Sequence, residues 1–136
     1  MLSRIGSGTG IFTRALLAHI QWNAAIKQIK AIEPSEGMRS VFSQQVKDDR
    51  VTVAEGTFIA TGIADSWADL VVIAQVCWLF LQLFMQSILS QAYHWCPDYE
   101  AASAEFSRIL KANGSVAYIW NLEDRSVIDL VYGSFR

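Results

Sequence analysis

The stretch RIGSGTGIFTRALL, residues 4–17, decides how the rest of this 136-residue chain is interpreted. Its glycines at positions 6, 8 and 10 precede an apolar run with helical spacing, which is typical of a loop between a strand and a helix. Glycine allows positive φ and lets a ligand approach the backbone, and free N–H groups at a helix start favour a carboxylate or phosphate. The stretch therefore predicts a ligand-binding loop.

The spacing of these glycines narrows the ligand class. A dinucleotide-binding loop needs a glycine at position 11, where this chain has Ile11, and a P-loop needs a Gly-Lys-Ser/Thr ending that does not follow here. The spacing Gly-x-Gly-x-Gly is instead the one used for S-adenosylmethionine. Glu33, at the end of the next predicted strand, could accept hydrogen bonds from two ribose hydroxyls, a feature shared with nicotinamide-binding folds. A nicotinamide-dependent reductase therefore stays open as an alternative, with Ile11 against it.

Helix and strand patterns alternate along the chain. The predicted helices cover 11–20, 35–49 and 97–114, and the predicted strands cover 26–34, 50–57, 68–75 and 115–124. The apolar positions of the first two helices are Ile11, Leu16, Leu17 and Ile20, then Met38, Val41, Phe42 and Val46. Ser35 is the expected N-cap of the second helix and Gly114 the expected stop of the third. Such alternation predicts an α/β domain with parallel strands and right-handed crossovers.

Composition excludes several function classes. The net charge of −2 gives no electrostatic basis for binding nucleic acid or an anionic membrane surface. The two cysteines, Cys77 and Cys96, form neither a disulfide framework nor a zinc motif, so no metal site is expected. The first residues contain no apolar run that would predict a signal peptide. A reducing, cytoplasmic location is therefore expected.

Several segments together resemble one family. The segments IGSGTG, AIEPSEGM, VAEGTF, WADLVVIAQ, AYHW and FSRILKANGSVAYIWN follow one another in the order found in class I S-adenosylmethionine-dependent methyltransferases of the type-11 group. The resemblance implies a Rossmann-like, mostly parallel sheet flanked by helices, with about five of the usual seven strands. It implies a domain over 1–125, an atypical tail at 126–136 without the last strands, and in-line methyl transfer from S-adenosyl-L-methionine to a small-molecule acceptor.

The same resemblance assigns roles to individual residues. The implied cofactor-binding residues are Gly6, Ser7, Gly8, Thr9, Gly10, Glu33, Pro34, Ser35, Met38, Gly56, Thr57, Phe58 and Gln75. Tyr93, His94 and Trp95 would border the acceptor, with His94 as the candidate base if the acceptor must lose a proton. Arg4 stands where the family usually has an acidic residue that helps to organise the methionyl ammonium. A family member that binds the cofactor without catalysis therefore stays open.

One apolar block interrupts the resemblance. Without residues 76–91, VCWLFLQLFMQSILSQ, the chain would read DLVVIAQAYHWCPDYE, a continuous family segment. We interpret the block as an insertion, and our hypothesis is an intron retained and translated in frame, since Val76-Cys77 can be encoded by GTATGT and Gln91 by CAG. A genomic sequence without GT and AG at these junctions would refute it. Two alternatives stay open, a membrane-spanning helix and an amphipathic lid over an apolar acceptor.

Overall fold

The computed structural model describes residues 1–74 and 98–119, and a strand at 130–133. The strands are β1 (Leu2–Ile5), β2 (Ile29–Ile32), β3 (Val51–Ala54), β4 (Ala68–Ala74), β5 (Leu110–Ile119) and β6 (Leu130–Gly133). The helices are α1 (Ile11–Ala18), α2 (Ile20–Ala25), α3 (Glu36–Gln45) and α4 (Tyr99–Ile109).

All six strands form one sheet in the order β3-β2-β1-β4-β5-β6. The first five strands run parallel, and β6 pairs antiparallel with β5. The predicted α/β architecture with five parallel strands is thus confirmed. Strand order reverses between β1 and β4, and ligands of open α/β sheets bind outside the carboxyl ends of the strands at such a switch point.

The sheet is covered on both faces because side chains of its central strands alternate between two apolar clusters. On β4, Val71 and Ile73 join one cluster with Phe106 of α4, whereas Val72 joins the other, against which Leu16 of α1 packs. Both faces of β4 are buried, as its continuous apolar sequence predicts. The helices α1 and α4 therefore lie on opposite faces of the sheet.

Strand register places two predicted site segments side by side at the carboxyl ends of β1 and β2. Ile5, the last residue of β1, is paired with Ile32, the last residue of β2. Gly6 and Glu33 therefore leave the sheet next to each other, and the amides of Gly6 and Ser7 both donate to the Ile32 carbonyl, at 2.9 and 3.1 Å. The glycine loop therefore begins next to Ile32, the last residue of β2.

The predicted boundary between the third helix and the last parallel strand is wrong. The helix ends at Ile109 rather than at Gly114, because Leu110 pairs with Ala68 of β4 and so already belongs to the sheet. Pairing resumes at Ser115 with Leu70, so 111–114 bulge out between the two contacts. A β-carbon on Gly114 would lie 2.8 Å from Leu110 Cδ2, so glycine is required by this bulge and not by a helix terminus.

The first predicted helix, 11–20, is also interrupted. His19 adopts an extended conformation (φ −83°, ψ 119°), so α1 ends at Ala18 and α2 starts at Ile20. Leu16 and Leu17 are partly buried against the core, whereas Ile11 and Ile20 are exposed.

In α3, Ser35 is the N-cap as predicted, and its hydroxyl accepts from the Met38 amide at 3.4 Å. Only part of the predicted apolar face of this helix is covered. Phe42 is buried, whereas Met38 and Val41 are exposed. The helix therefore packs against the rest of the domain mainly through Phe42, in its second half.

The chain after β5 was expected to hold no further strand, and this expectation is wrong, since β6 lies within 126–136. The insertion at 76–91, Gln75 and the acceptor-side residues Tyr93, His94 and Trp95 lie outside the described residues. Among the residues that the structure does describe, no helix is long and apolar enough to cross a membrane.

Candidate functional site

The glycine loop between β1 and α1 has a conformation that requires glycine. Gly6, Gly8 and Gly10 have φ values of 67°, 56° and 85°, in the left-handed region that L side chains rarely adopt. At Gly10 a β-carbon would also lie 2.7 Å from Cγ2 of Val46, the residue that follows α3, whereas at Gly8 it would meet no atom within 4 Å. Gly10 is thus needed for packing, while Gly8 leaves open space beside the backbone.

Glu33 connects this loop to the end of β2. Its side chain is 5% exposed, and its Oε2 accepts a hydrogen bond of 2.8 Å from the Gly8 amide. The other carboxylate oxygen, Oε1, accepts from the Ser35 amide at 3.1 Å. A carboxylate has about four lone-pair positions, so each oxygen keeps capacity for one more donor. The carboxylate can hold the loop and still accept hydrogen bonds from a ligand.

Arg39 on α3 fixes the segment that carries Glu33, and sequence reasoning missed it. Its Nη1 donates to the backbone carbonyls of Glu33 and Pro34, at 2.8 and 2.7 Å, and its Nη2 lies 3.3 Å from Glu55 Oε2. The guanidinium therefore joins the carboxyl ends of β2 and β3. No sequence pattern predicts this role, because the Arg39 side chain reaches back to backbone carbonyls just before α3.

Arg4 brings a buried positive charge to the same loop. It is 2% exposed, its Nη1 lies 3.5 Å from the Ser7 carbonyl oxygen, and its guanidinium carbon lies 4.8 Å from the centroid of the Phe12 ring. Burial lowers the pKa of Arg4 to about 10, and the negative charge of Glu33 offsets part of that effect. The group therefore stays protonated at neutral pH. Phe12, like Arg39, was not among the predicted site residues.

The segment after β3 forms a tight turn beside the loop. The Thr57 amide donates to the Ala60 carbonyl at 2.9 Å, and a β-carbon on Gly56 would lie 2.7 Å from Ile32 Cγ2. Phe58 packs against the core, and its ring edge is 3.6 Å from the β-carbon position of Gly6. The structure thus brings the predicted residues Gly56 and Phe58 to the first two strand ends, while Thr57 is exposed.

A polar network anchors the chain that follows this turn to α4. Glu105 Oε1 accepts from both the amide and the hydroxyl of Thr61, at 2.9 and 2.6 Å, and Glu105 pairs with Arg108 at 2.7 Å. The hydrogen bond from Arg108, with those from Thr61, lowers the pKa of Glu105 to about 2. The Arg108 side chain also donates to the Ile63 carbonyl at 2.8 Å and contacts Asp65. This network holds the 61–65 segment against α4.

The loop and the start of α1 enclose a small cleft. It is partly open to solvent and is lined by Arg4, Gly6, Ser7, Gly8, Thr9, Ile11 and Phe12. Of the predicted cofactor-binding residues, Pro34, Ser35 and Met38 lie at the exposed start of α3 and do not line the cleft.

Two buried hydroxyls belong to the segment that forms this cleft. The Oγ of Ser7 and the Oγ1 of Thr13 are buried and have no hydrogen-bond partner within the described part of the chain. That part also contains no group of residues suited to hold a metal ion.

Comparison with known proteins agrees with this architecture. A sequence model described as methyltransferase domain matches residues 3–118. An uncharacterized methyltransferase of Schizosaccharomyces pombe is 30% identical over 123 residues, which cover 90% of this chain and 39% of that protein. An uncharacterized methyltransferase-like protein of the same yeast is 28% identical, with 100% of this chain and 46% of the relative covered. The chain thus spans less than half the length of these relatives.

A solved structure shows the same fold at low identity. The S-adenosylmethionine-dependent methyltransferase of Mesorhizobium loti superposes with a TM-score of 0.64 at 14% identity, over 88% of this chain and 45% of that one. The matched family segment, 3–118, contains β2 to β4, most of β1 and β5, and the whole glycine loop. On this sequence match, and on a fold that agrees with it, the chain belongs to the methyltransferase domain family.

Proposed function

We propose that this chain binds S-adenosylmethionine at the carboxyl edge of β1 and β2 and forms part of an enzyme that transfers the methyl group to a small-molecule acceptor. The single observation that carries the proposal is the position of Glu33. Its buried carboxylate holds the glycine loop through the Gly8 amide and keeps free lone pairs on both oxygens. Adjacent ribose hydroxyls are donors that match this acceptor.

The described residues fit a nucleoside ligand. The open space beside Gly8 allows a ligand to approach the backbone, whereas a side chain there would be strained. Gly56 and Phe58 supply a close-packed boundary next to Gly6, and Arg39 keeps the Glu33 segment in place through two carbonyls.

The contribution of the protein to the reaction is positional. When bound, the cofactor supplies a methyl group already activated on a sulfonium, and transfer needs an acceptor held in line with it. Glu33 and the glycine loop would hold the nucleoside end, which fixes the direction in which the methyl group points. On the acceptor side, Tyr93, Trp95 and the candidate base His94 remain predictions, since they lie outside the described residues.

A second candidate function is cofactor binding without methyl transfer, and Arg4 favours it. A guanidinium would repel the ammonium group of the methionyl part, and Arg4 lines the cleft beside the glycine loop. Incubation with methyl-labelled S-adenosylmethionine and a small-molecule extract separates the two candidates. Label in a new small molecule supports the enzyme, whereas ligand binding without any labelled product supports the binding domain.

Calorimetric titration with S-adenosylhomocysteine tests the site without knowledge of the acceptor. We expect micromolar binding by the wild-type chain, loss of at least about tenfold in Glu33→Gln, and no change in Glu55→Gln, which removes a carboxylate at the next strand end. NADH serves as the comparison ligand and should not bind. A folded chain that binds no S-adenosylhomocysteine, or binds NADH more tightly, would overturn the proposal.

A further inference from the structure

The cleft beside the glycine loop carries a positive charge that the proposed cofactor must meet. Arg4 and Ser7 both line the cleft, and both are 2% exposed. The β1 side chains alternate, so Arg4 projects from the same face of the sheet as Leu2, the face that α1 covers. The guanidinium therefore lies between the strand and the first turn of α1, with Phe12 over it.

Three independent features make this cleft suited to an anion. The first is the charge of Arg4, which the Phe12 ring and the Ser7 carbonyl hold in position. The second is the N-terminus of α1, whose first amides lack helical partners and whose dipole favours negative charge. The third is the Ser7 hydroxyl, buried and without a hydrogen-bond partner among the described residues. An acceptor oxygen at this point would satisfy that hydroxyl.

We infer that this cleft binds the carboxylate of the amino-acid part of the cofactor and gains nothing from its ammonium group. The inference rests on the proposed function, because it assigns one part of the same ligand to one side of the same loop. A planar guanidinium matches a carboxylate, while an ammonium at the same place would face a buried positive charge. The charge of Glu33 also acts on Arg4, but the Glu33 carboxylate is engaged by the Gly8 and Ser35 amides and by the proposed ribose contacts.

Four ligands that share the adenosyl thioether and differ in whether they carry these two charged groups test the inference. They are S-adenosylhomocysteine, its deaminated analogue that keeps the carboxylate, its decarboxylated analogue that keeps the ammonium, and 5′-methylthioadenosine, which has neither. For the wild-type chain, loss of the carboxylate should weaken binding at least about tenfold, as expected for a charge-assisted contact. Loss of the ammonium should weaken binding by less than about twofold or strengthen it.

Two variants test whether Arg4 causes the preference for the carboxylate over the ammonium. In Arg4→Gln, which removes the charge and keeps a shorter polar side chain, loss of the carboxylate should cost less than about threefold. Arg14→Gln removes the same charge from the exposed side of α1, where Arg14 contacts Gln45 at 3.3 Å, and should keep the wild-type ranking. Thermal unfolding shows whether Arg4→Gln folds. If it does not fold, the four-ligand ranking of the wild-type chain alone decides.

The outcomes separate this inference from the proposed function. If the ammonium contributes more affinity than the carboxylate, or if neither matters while 5′-methylthioadenosine still binds, the inference is overturned and the nucleoside site stands. If the folded wild-type chain binds none of the four ligands, the proposed function fails and the inference fails with it. A ranking in which only the carboxylate matters, and which Arg4→Gln removes, supports both.

Discussion

Replacement of Glu33 by glutamine is the perturbation that tests the site most directly. The side chains have nearly the same shape, so the change creates no cavity, but glutamine offers one acceptor oxygen where the carboxylate offers two. The amides of Gly8 and Ser35, at 2.8 and 3.1 Å, both need an acceptor here. Glutamine would leave one of them facing an NH₂ group.

The size of the effect follows from these two contacts. A hydrogen bond to a charged group contributes about 1.5–3 kcal/mol and a neutral one about 0.5–1.5 kcal/mol. One bond is lost and the other is weakened, and both are partly buried, so the lower half of the range applies. We expect the free energy of unfolding to fall by about 2–3 kcal/mol.

Urea denaturation followed by tryptophan fluorescence measures this change, since the chain has five tryptophans. Glu55→Gln is the matched control, because Glu55 is exposed and its side chain pairs with Arg39 Nη2 at 3.3 Å. It should change stability by less than about 0.5 kcal/mol. A Glu33→Gln variant as stable as this control would show that the carboxylate does not hold the loop, and the reasoning would be refuted.

The other predictions concern the glycine loop, Arg39 and the network around Glu105. Gly10→Ala should lower the free energy of unfolding by about 2–4 kcal/mol in urea denaturation, because it combines positive φ with a β-carbon only 2.7 Å from Val46 Cγ2. Gly8→Ala has positive φ alone and should lower it by about 1 kcal/mol. Arg39→Ala should cost about 1–2 kcal/mol in the same assay through the two lost carbonyl contacts, and Arg39→Lys less. Because the folded-state pKa of Glu105 is lowered from 4.5 to about 2, its contribution is complete above pH 5 and is lost as the pH falls toward 2. Unfolding measured across that window should depend less on pH in Glu105→Gln, and an unchanged slope would contradict the assignment.

Local patterns were sufficient to predict where the loop and Glu33 lie. Gly6 and Glu33 each follow a short strand, and parallel strands end at one edge, so their proximity follows from the sequence alone. The bond from the Gly8 amide to Glu33 could not be predicted, because it depends on the left-handed conformation of the loop. The role of Arg39 could not be predicted for a similar reason, since its acceptors are backbone carbonyls, which every residue has.

The wrong boundary at α4 shows where tertiary contacts override a helical pattern. Residues up to Lys111 have helical composition, and Gly114 resembles a helix stop, yet Leu110 is already paired with Ala68. Nothing in the local sequence distinguishes a helix that continues from a strand that begins, because both would bury Leu110. The partner strand, more than 40 residues earlier in the chain, decides the outcome.

In the proposed site, Arg4 and Glu33 would recognise the two ends of the ligand by opposite chemistry. Glu33 is an acceptor and suits hydroxyl donors, whereas Arg4 is a donor and suits an anion. Both charges act on a single loop, since Glu33 accepts from the Gly8 amide and Arg4 lies against the Ser7 carbonyl. Removal of either charge should therefore disturb the loop as well as the ligand contact, and stability must be measured beside affinity. Ligand analogues avoid this ambiguity, because they change the contact while the loop stays intact.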